Sequence, residues 1–169
     1  MAEAPSTPSG GPAMPAFIAD LTVGRLAKWL RWLGYDTLFL RRREIPILLR
    51  ILDTSARILL TRRRRLAQGL PAARVLFIEH NQLMDQLRQV VTALSLDFCT
   101  HRGTRCMRCN ELLAPRRREE VRGQVPAYTY QTHERFSQCP GCGRIYWEGT
   151  HRERMEACVE AELRRAPPV

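Results

Sequence analysis

The sequence predicts an α/β fold, a parallel sheet with flanking helices, followed by a zinc ribbon and a C-terminal helix. From residue 16 to 96, short apolar runs alternate with helical repeats, the pattern of a parallel sheet covered on both faces. Two Cys-x-x-Cys pairs then follow, Cys106 with Cys109 and Cys139 with Cys142, with 29 residues between them. Two such pairs suit one tetrahedral ion. The organisation is therefore a disordered Pro/Gly/Ser/Ala tail over 1–15, the sheet domain over 16–96, the ribbon over 97–150, and a helix and tail over 151–169.

Ala16 to Ala19 is an apolar run ended by Asp20, which reads as a buried strand with a carboxylate at its carboxyl end. Thr22 is placed to cap the helix that follows. Val23, Leu26, Leu30 and Leu33 recur at helical spacing and form its buried stripe, and Gly34 stops it. Thr37 to Leu40 is a second strand, Ile45 to Leu52 a helix with Pro46 in its first turn, and Arg57 to Thr61 a third strand. A basic turn covers Arg62 to Arg65. Val75 to Ile78 is the fourth strand, and Leu83, Leu87, Val90, Val91 and Leu94 line one face of another helix.

Parallel sheets bind ligands at the carboxyl ends of their strands, so Asp20 falls where such a fold puts chemistry. Asp20-Leu-Thr-Val-Gly-Arg lacks the glycine spacing of a phosphate loop, which excludes a nucleotide cofactor. Two roles remain for Asp20: a ligand to a divalent ion, or a cap for the helix beginning near Thr22.

Four thiolates on one zinc leave no open position, so the ion stabilises the fold and does no chemistry. The competing assignment for the two pairs is disulfides. The N-terminal tail lacks the apolar core of a secretion signal, which predicts a cytoplasmic chain with reduced thiols. Cys99 and Cys158 read as small buried apolar residues.

The formal net charge is +10, with 27 basic residues against 17 acidic ones, and Lys28 is the only lysine. Such a balance favours polyanions, and arginine makes forked contacts to phosphate. No apolar run approaches the roughly 20 residues a membrane span needs. Arg25, Lys28, Arg31 and Trp32 make a cationic face with an aromatic edge on the first helix. With Arg41 to Arg43 and Arg62, Arg64 and Arg65, that face forms a basic rim on which RNA could lie. In the ribbon, Arg102, Arg105, Arg108, Arg116 to Arg118 and Arg144 extend the charge. Tyr146 and Trp147 suit either base stacking or core packing, and His151 either an RNA contact or packing at the ribbon exit.

The runs Phe17 to Asp20, Gly24 to Arg31, Leu33 to Thr37, Arg57 to Arg62 and Cys139 to His151, with Arg154-Met155, resemble the Mut-7 C-terminal RNase domain family. The resemblance implies a PIN-like nuclease fold joined to a zinc ribbon, with an acidic site holding Mg²⁺ or Mn²⁺ for hydrolysis of RNA. Asp20 matches the family's first acid. Glu44 falls near its next acidic cluster, although Ile45, Pro46 and Ile47 stand where further acids are common. Asp36 matches a Gly-Tyr-Asp element at the far end of the sheet and is assigned to structure. After Leu-Leu-Thr-Arg the family carries an aspartate, where this chain has Arg63. A cation about 6 Å from a divalent ion is repelled by roughly 5 kcal/mol at an effective dielectric near 20. The function implied is RNA binding with metal-dependent hydrolysis at Asp20 and Glu44, impaired by Arg63. The alternative is a non-catalytic RNA-binding or protein-interaction module with a structural zinc ribbon.

Overall fold

The computed structural model describes residues 14–41, 45–147, 149, 157, 159–161 and 163. The first strand, β1 (Phe17–Ala19), buries all three of its side chains, so the sheet needs a layer on each face. It pairs in parallel with β2 (Thr37–Phe39) on one side and β3 (Ile58–Thr61) on the other, and β4 (Val75–Phe77) extends the sheet beyond β3. The register sets Phe17 opposite Thr37 and Ile58. The order β2-β1-β3-β4 reverses direction at β1, which opens a crevice at the carboxyl ends of β1 and β3.

Helices supply the two layers. On one face α1 (Gly24–Trp32) packs Leu26 and Leu30 with Phe17, Ala19 and Leu60. On the other, α2 (Ile45–Thr54) sets Leu48 and Leu52 against Ile18 and Leu59. Alternate residues of β1 and β3 thus feed opposite cores. Of the basic turn expected over Arg62 to Arg65, Arg64 and Arg65 open a short helix, α3 (Arg64–Gln68), and α4 (Leu83–Ala93) joins α1 through Leu87 and Val90.

The expected helix stop is present. Gly34 has φ of 97°, and the N–H groups of Gly34 and Tyr35 close the helix on the carbonyls of Arg31 and Leu30 at 2.9 Å each. A Cβ there would also lie 2.5 Å from His101. The expected cap differs. Leu21–Val23 forms a single 3-10 turn, and its capping acceptor is Asp20, which takes the N–H of Thr22.

The second sheet is antiparallel, in the order β5 (Ala114–Arg116), β6 (Phe136–Gln138), β7 (Ile145–Trp147), with α5 (Ala127–Thr132) between β5 and β6. Ala157, Val159 to Ala161 and Leu163 are helical where the C-terminal helix is expected. Val159 and Leu163 join the core of α1 and α4. Among the described residues no helix is long and apolar enough to cross a membrane.

The ribbon is fastened to the amino end of the parallel sheet by two polar side chains. Arg31, expected on a cationic face, is only 6% exposed. Its Nε donates to the Thr37 carbonyl at 2.8 Å, and its Nη1 donates to the carbonyls of Met107 and Arg108 at 3.1 and 2.9 Å. Three carbonyl acceptors explain why this arginine is inside. Asn110 works in the opposite direction. Its Oδ1 accepts the Thr37 N–H at 2.9 Å, and its Nδ2 donates to Asp36 Oδ1 at 2.7 Å. Trp32 is also buried, with the Arg102 guanidinium 5.8 Å from its ring centroid. The first helix therefore presents Arg25 and Lys28 to solvent, but not Arg31 or Trp32.

Asp36 lies at the amino end of β2, away from the crevice, as its structural assignment requires. Its carboxylate takes two bonds of 2.8 Å from Arg57. The forked Arg57 contact, supported by Asn110 and opposed by burial, holds this carboxyl below the usual carboxylate range. A depressed native pKa contributes stability above the unfolded value near 4, and that stability is lost as pH falls through the native value. Denaturant unfolding should therefore separate wild type from Asp36→Asn by on the order of 1 kcal/mol at neutral pH. The gap should narrow on acidification. A gap that widens below pH of about 4 would contradict the assignment.

Candidate active site and metal centre

Each Cys-x-x-Cys pair sits on a tight turn built by the backbone. In the first, Asn110 N–H returns to the Cys106 carbonyl at 2.9 Å, and in the second Gly143 N–H returns to Cys139 at 2.9 Å. Both returning residues are left-handed, with φ of 74° for Asn110 and 70° for Gly143. Glycine adopts this freely and asparagine tolerates it. The turns bring the four Sγ atoms within 4.8 Å of one another, with Cys106 and Cys142 at 3.7 Å. A tetrahedron with metal–sulfur bonds of about 2.3 Å has edges of about 3.8 Å. A disulfide would need about 2.05 Å. The four cysteines can therefore hold a metal ion such as zinc, and the arrangement is compatible with a zinc ribbon.

Tyr146 Oη lies 3.1 Å from Cys106 Sγ. Burial opposes ionisation of Cys106, but this hydrogen bond and the N–H groups of Cys109 and Arg108 outweigh it and bring the thiol down to about 6. Cys99, expected to be buried, is exposed, and its sulfur accepts from Arg102 Nη2 at 3.3 Å. Cys158 and His151 lie outside the described residues.

At the opposite end of the parallel sheet, Asp20 is 3% exposed and accepts three hydrogen bonds. Oδ1 accepts the N–H of Thr22 at 2.9 Å and also its hydroxyl, and Oδ2 accepts the Thr61 hydroxyl at 2.6 Å. The turn after β3 is drawn into the same network. Arg62 N–H donates to Thr22 Oγ1 at 3.1 Å and Arg63 N–H to Thr61 Oγ1 at 3.0 Å. Asp20 thereby caps the turn that follows β1 and also ties the ends of β1 and β3 together.

The acid expected to accompany Asp20 is not among the described residues. Glu44 lies outside the described residues, and Arg63 is half-buried with no ion pair to Asp20. Glu79, which follows β4, is exposed. Among the described residues the cysteine cluster is the one group of three or more side chains suited to a metal ion. Asp20, with three donors on its oxygens, does not by itself make a Mg²⁺ or Mn²⁺ site, since hard cations of this kind draw on several oxygens.

What occupies the crevice is positive charge. A cleft of about 470 Å³ is lined by Arg25, Lys28 and Arg62, with Phe39, Asn81 and Gln86, and no described acid lines it. Arg62 Nη2 is oriented by Asn81 Oδ1. Arg64 stands outside this cleft, its guanidinium 5.1 Å from the Phe77 ring centroid, and Arg65 is exposed on α3. Thr61 and Asn81 were not singled out by the sequence. Thr61 had a signal, since it closes the apolar strand at the same level as Asp20, whereas Asn81 sits in a loop without any pattern.

The sheet reversal, the cationic crevice and the four-cysteine cluster together define an α/β protein with a ribbon suited to a metal ion. The chain belongs to the Mut7-C RNAse domain family, whose profile matches residues 15–159. Comparison with curated proteins found no match, and neither did comparison with solved structures. Family membership supports a nuclease or RNA-related role.

Proposed function

We propose that this chain binds RNA along the crevice at the carboxyl ends of β1 and β3, and that metal-dependent hydrolysis there is weak. The observation that carries this reading is the crevice itself, lined by Arg25, Lys28 and Arg62 without a described acid. Phosphates are attracted to such a surface whether or not a cation is bound, and affinity arises from counterion release. The ribbon's four cysteines hold a structural zinc, which fixes the fold and leaves chemistry to the other end of the molecule.

Hydrolysis would require Asp20 to give up its threonine hydroxyls and to recruit Glu44 around Mg²⁺ or Mn²⁺. Arg63, where the family carries an acid, opposes that recruitment. A cleavage assay with added Mn²⁺ tests this. Wild type should cleave RNA near background, while Arg63→Asp should tighten Mn²⁺ binding by about tenfold or more and raise cleavage. Asp20→Asn should abolish both effects. Brisk cleavage by wild type that survives Asp20→Asn would overturn the assignment of the site.

A further inference from the structure

A second cleft, of about 440 Å³, runs from the crevice to the ribbon. It shares Gly24, Lys28 and Phe39 with the first and is completed by Arg41, Arg108, Arg144 and Tyr146. Gly24 makes the junction possible, because a Cβ there would lie 2.7 Å from the Phe39 ring. Arg41, Arg108 and Arg144 are exposed, and no described acid lines this cleft. Among the described residues, the only other guanidinium in its wall, that of Arg31, is already committed to three backbone carbonyls. The half-buried Tyr146 is anchored at its hydroxyl by Cys106, which holds the ring in place beside the cations.

We infer that the two clefts form one trough for single-stranded RNA, with the ribbon supplying half of the binding surface. This rests on the proposed RNA binding in the crevice and extends it to a defined path. Arg25 and Arg62 take phosphates at one end, Lys28 stands at the centre, and Arg41, Arg108 and Arg144 take phosphates at the other. Phe39 and Tyr146 offer aromatic faces to unpaired bases along the way. An unpaired strand fits this arrangement because its bases are free to turn toward the aromatic walls, whereas a duplex hides them.

The test is a salt series of binding titrations with a fluorescent oligoribonucleotide of about 12 nucleotides, within the range of site sizes usual for single-strand binding. Six cations predict a log–log slope near −4 on single strands, and replacing three of them should flatten it by about 2. The ribbon-side variant carries Arg41→Gln, Arg108→Gln and Arg144→Gln, and the crevice-side variant Arg25→Gln, Lys28→Gln and Arg62→Gln. All six positions are exposed or line open clefts, and unchanged thermal melting and zinc content confirm folding. Arg144→Glu alone serves as a second ribbon probe. The trough predicts that both triple variants flatten the slope and that Arg144→Glu weakens binding. If only the crevice variant does so, the path over the ribbon is wrong while RNA binding in the crevice stands. If wild type shows no salt-sensitive binding, both fail. Equal affinity for polyglutamate of matched charge would also overturn the path, since the surface would then be a general polyanion face.

Discussion

Serine in place of Cys106 is expected to unfold the ribbon and to loosen the parallel sheet at the same time. Cys106 is fully buried, closes one corner of the sulfur cluster and receives Tyr146 Oη. Structural zinc contributes about 10 kcal/mol or more to the folding of small zinc peptides, so loss of one ligand should leave the ribbon without its main source of stability. The sheet should respond because Asn110 and the carbonyls of Met107 and Arg108 are displaced with the turn. Elemental analysis should find no zinc, and hydrogen exchange should accelerate at Thr37 as well as in β5 to β7. Exchange confined to the ribbon would show that the two parts are energetically separate. A protein that retains its melting behaviour without zinc would remove the metal from the account.

Alanine in place of Arg31 should be nearly as damaging, although the residue belongs to a helix that otherwise looks like an ordinary basic surface. The substitution strips the carbonyls of Thr37, Met107 and Arg108 of their donor and leaves space where the side chain was. Buried acceptors left without partners cost about 1–3 kcal/mol each, so a total loss of about 3–5 kcal/mol is expected in denaturant unfolding. Arg31→Lys should recover little, because an ammonium cannot reproduce the forked reach to both sides. Lys28→Ala, three residues earlier on the exposed face, should stay within about 0.5 kcal/mol. Equal effects at the two positions would mean that Arg31 is not a fastening between the two sheets.

The contrast between Lys28 and Arg31 shows where the sequence was legible. Strands and helices followed from local periodicity, and the four-cysteine cluster from spacing, because both are decided within a few residues or by one geometric requirement. Asp20 was placed at the correct end of the correct strand for the same reason. Its engagement with Thr61 was not visible, since the two residues are brought together only by the pairing of β1 with β3. Arg31 carried a weak signal, being one turn beyond the buried Ala27. What buries it lies in the turn at Met107 and Arg108, and no helical pattern reports on that. Asn110 carried a comparable signal, because it replaces the glycine that follows the second cysteine pair. A left-handed position given to asparagine implies that its side chain has a task.

That task also orders the birth of the protein. β2 is an edge strand of the parallel sheet, and its first residue donates its N–H to Asn110 Oδ1 across 73 positions of sequence. During synthesis from the amino end, β1, β3 and β4 can pair long before residue 110 has been made. The outer strand can pair with β1 as well, but its leading amide has no Asn110 to accept it until the first cysteine turn emerges. Closing so long a loop is entropically unfavourable on its own. A nascent chain is therefore expected to carry one unpaired amide at a sheet edge until the ribbon's first turn docks against it.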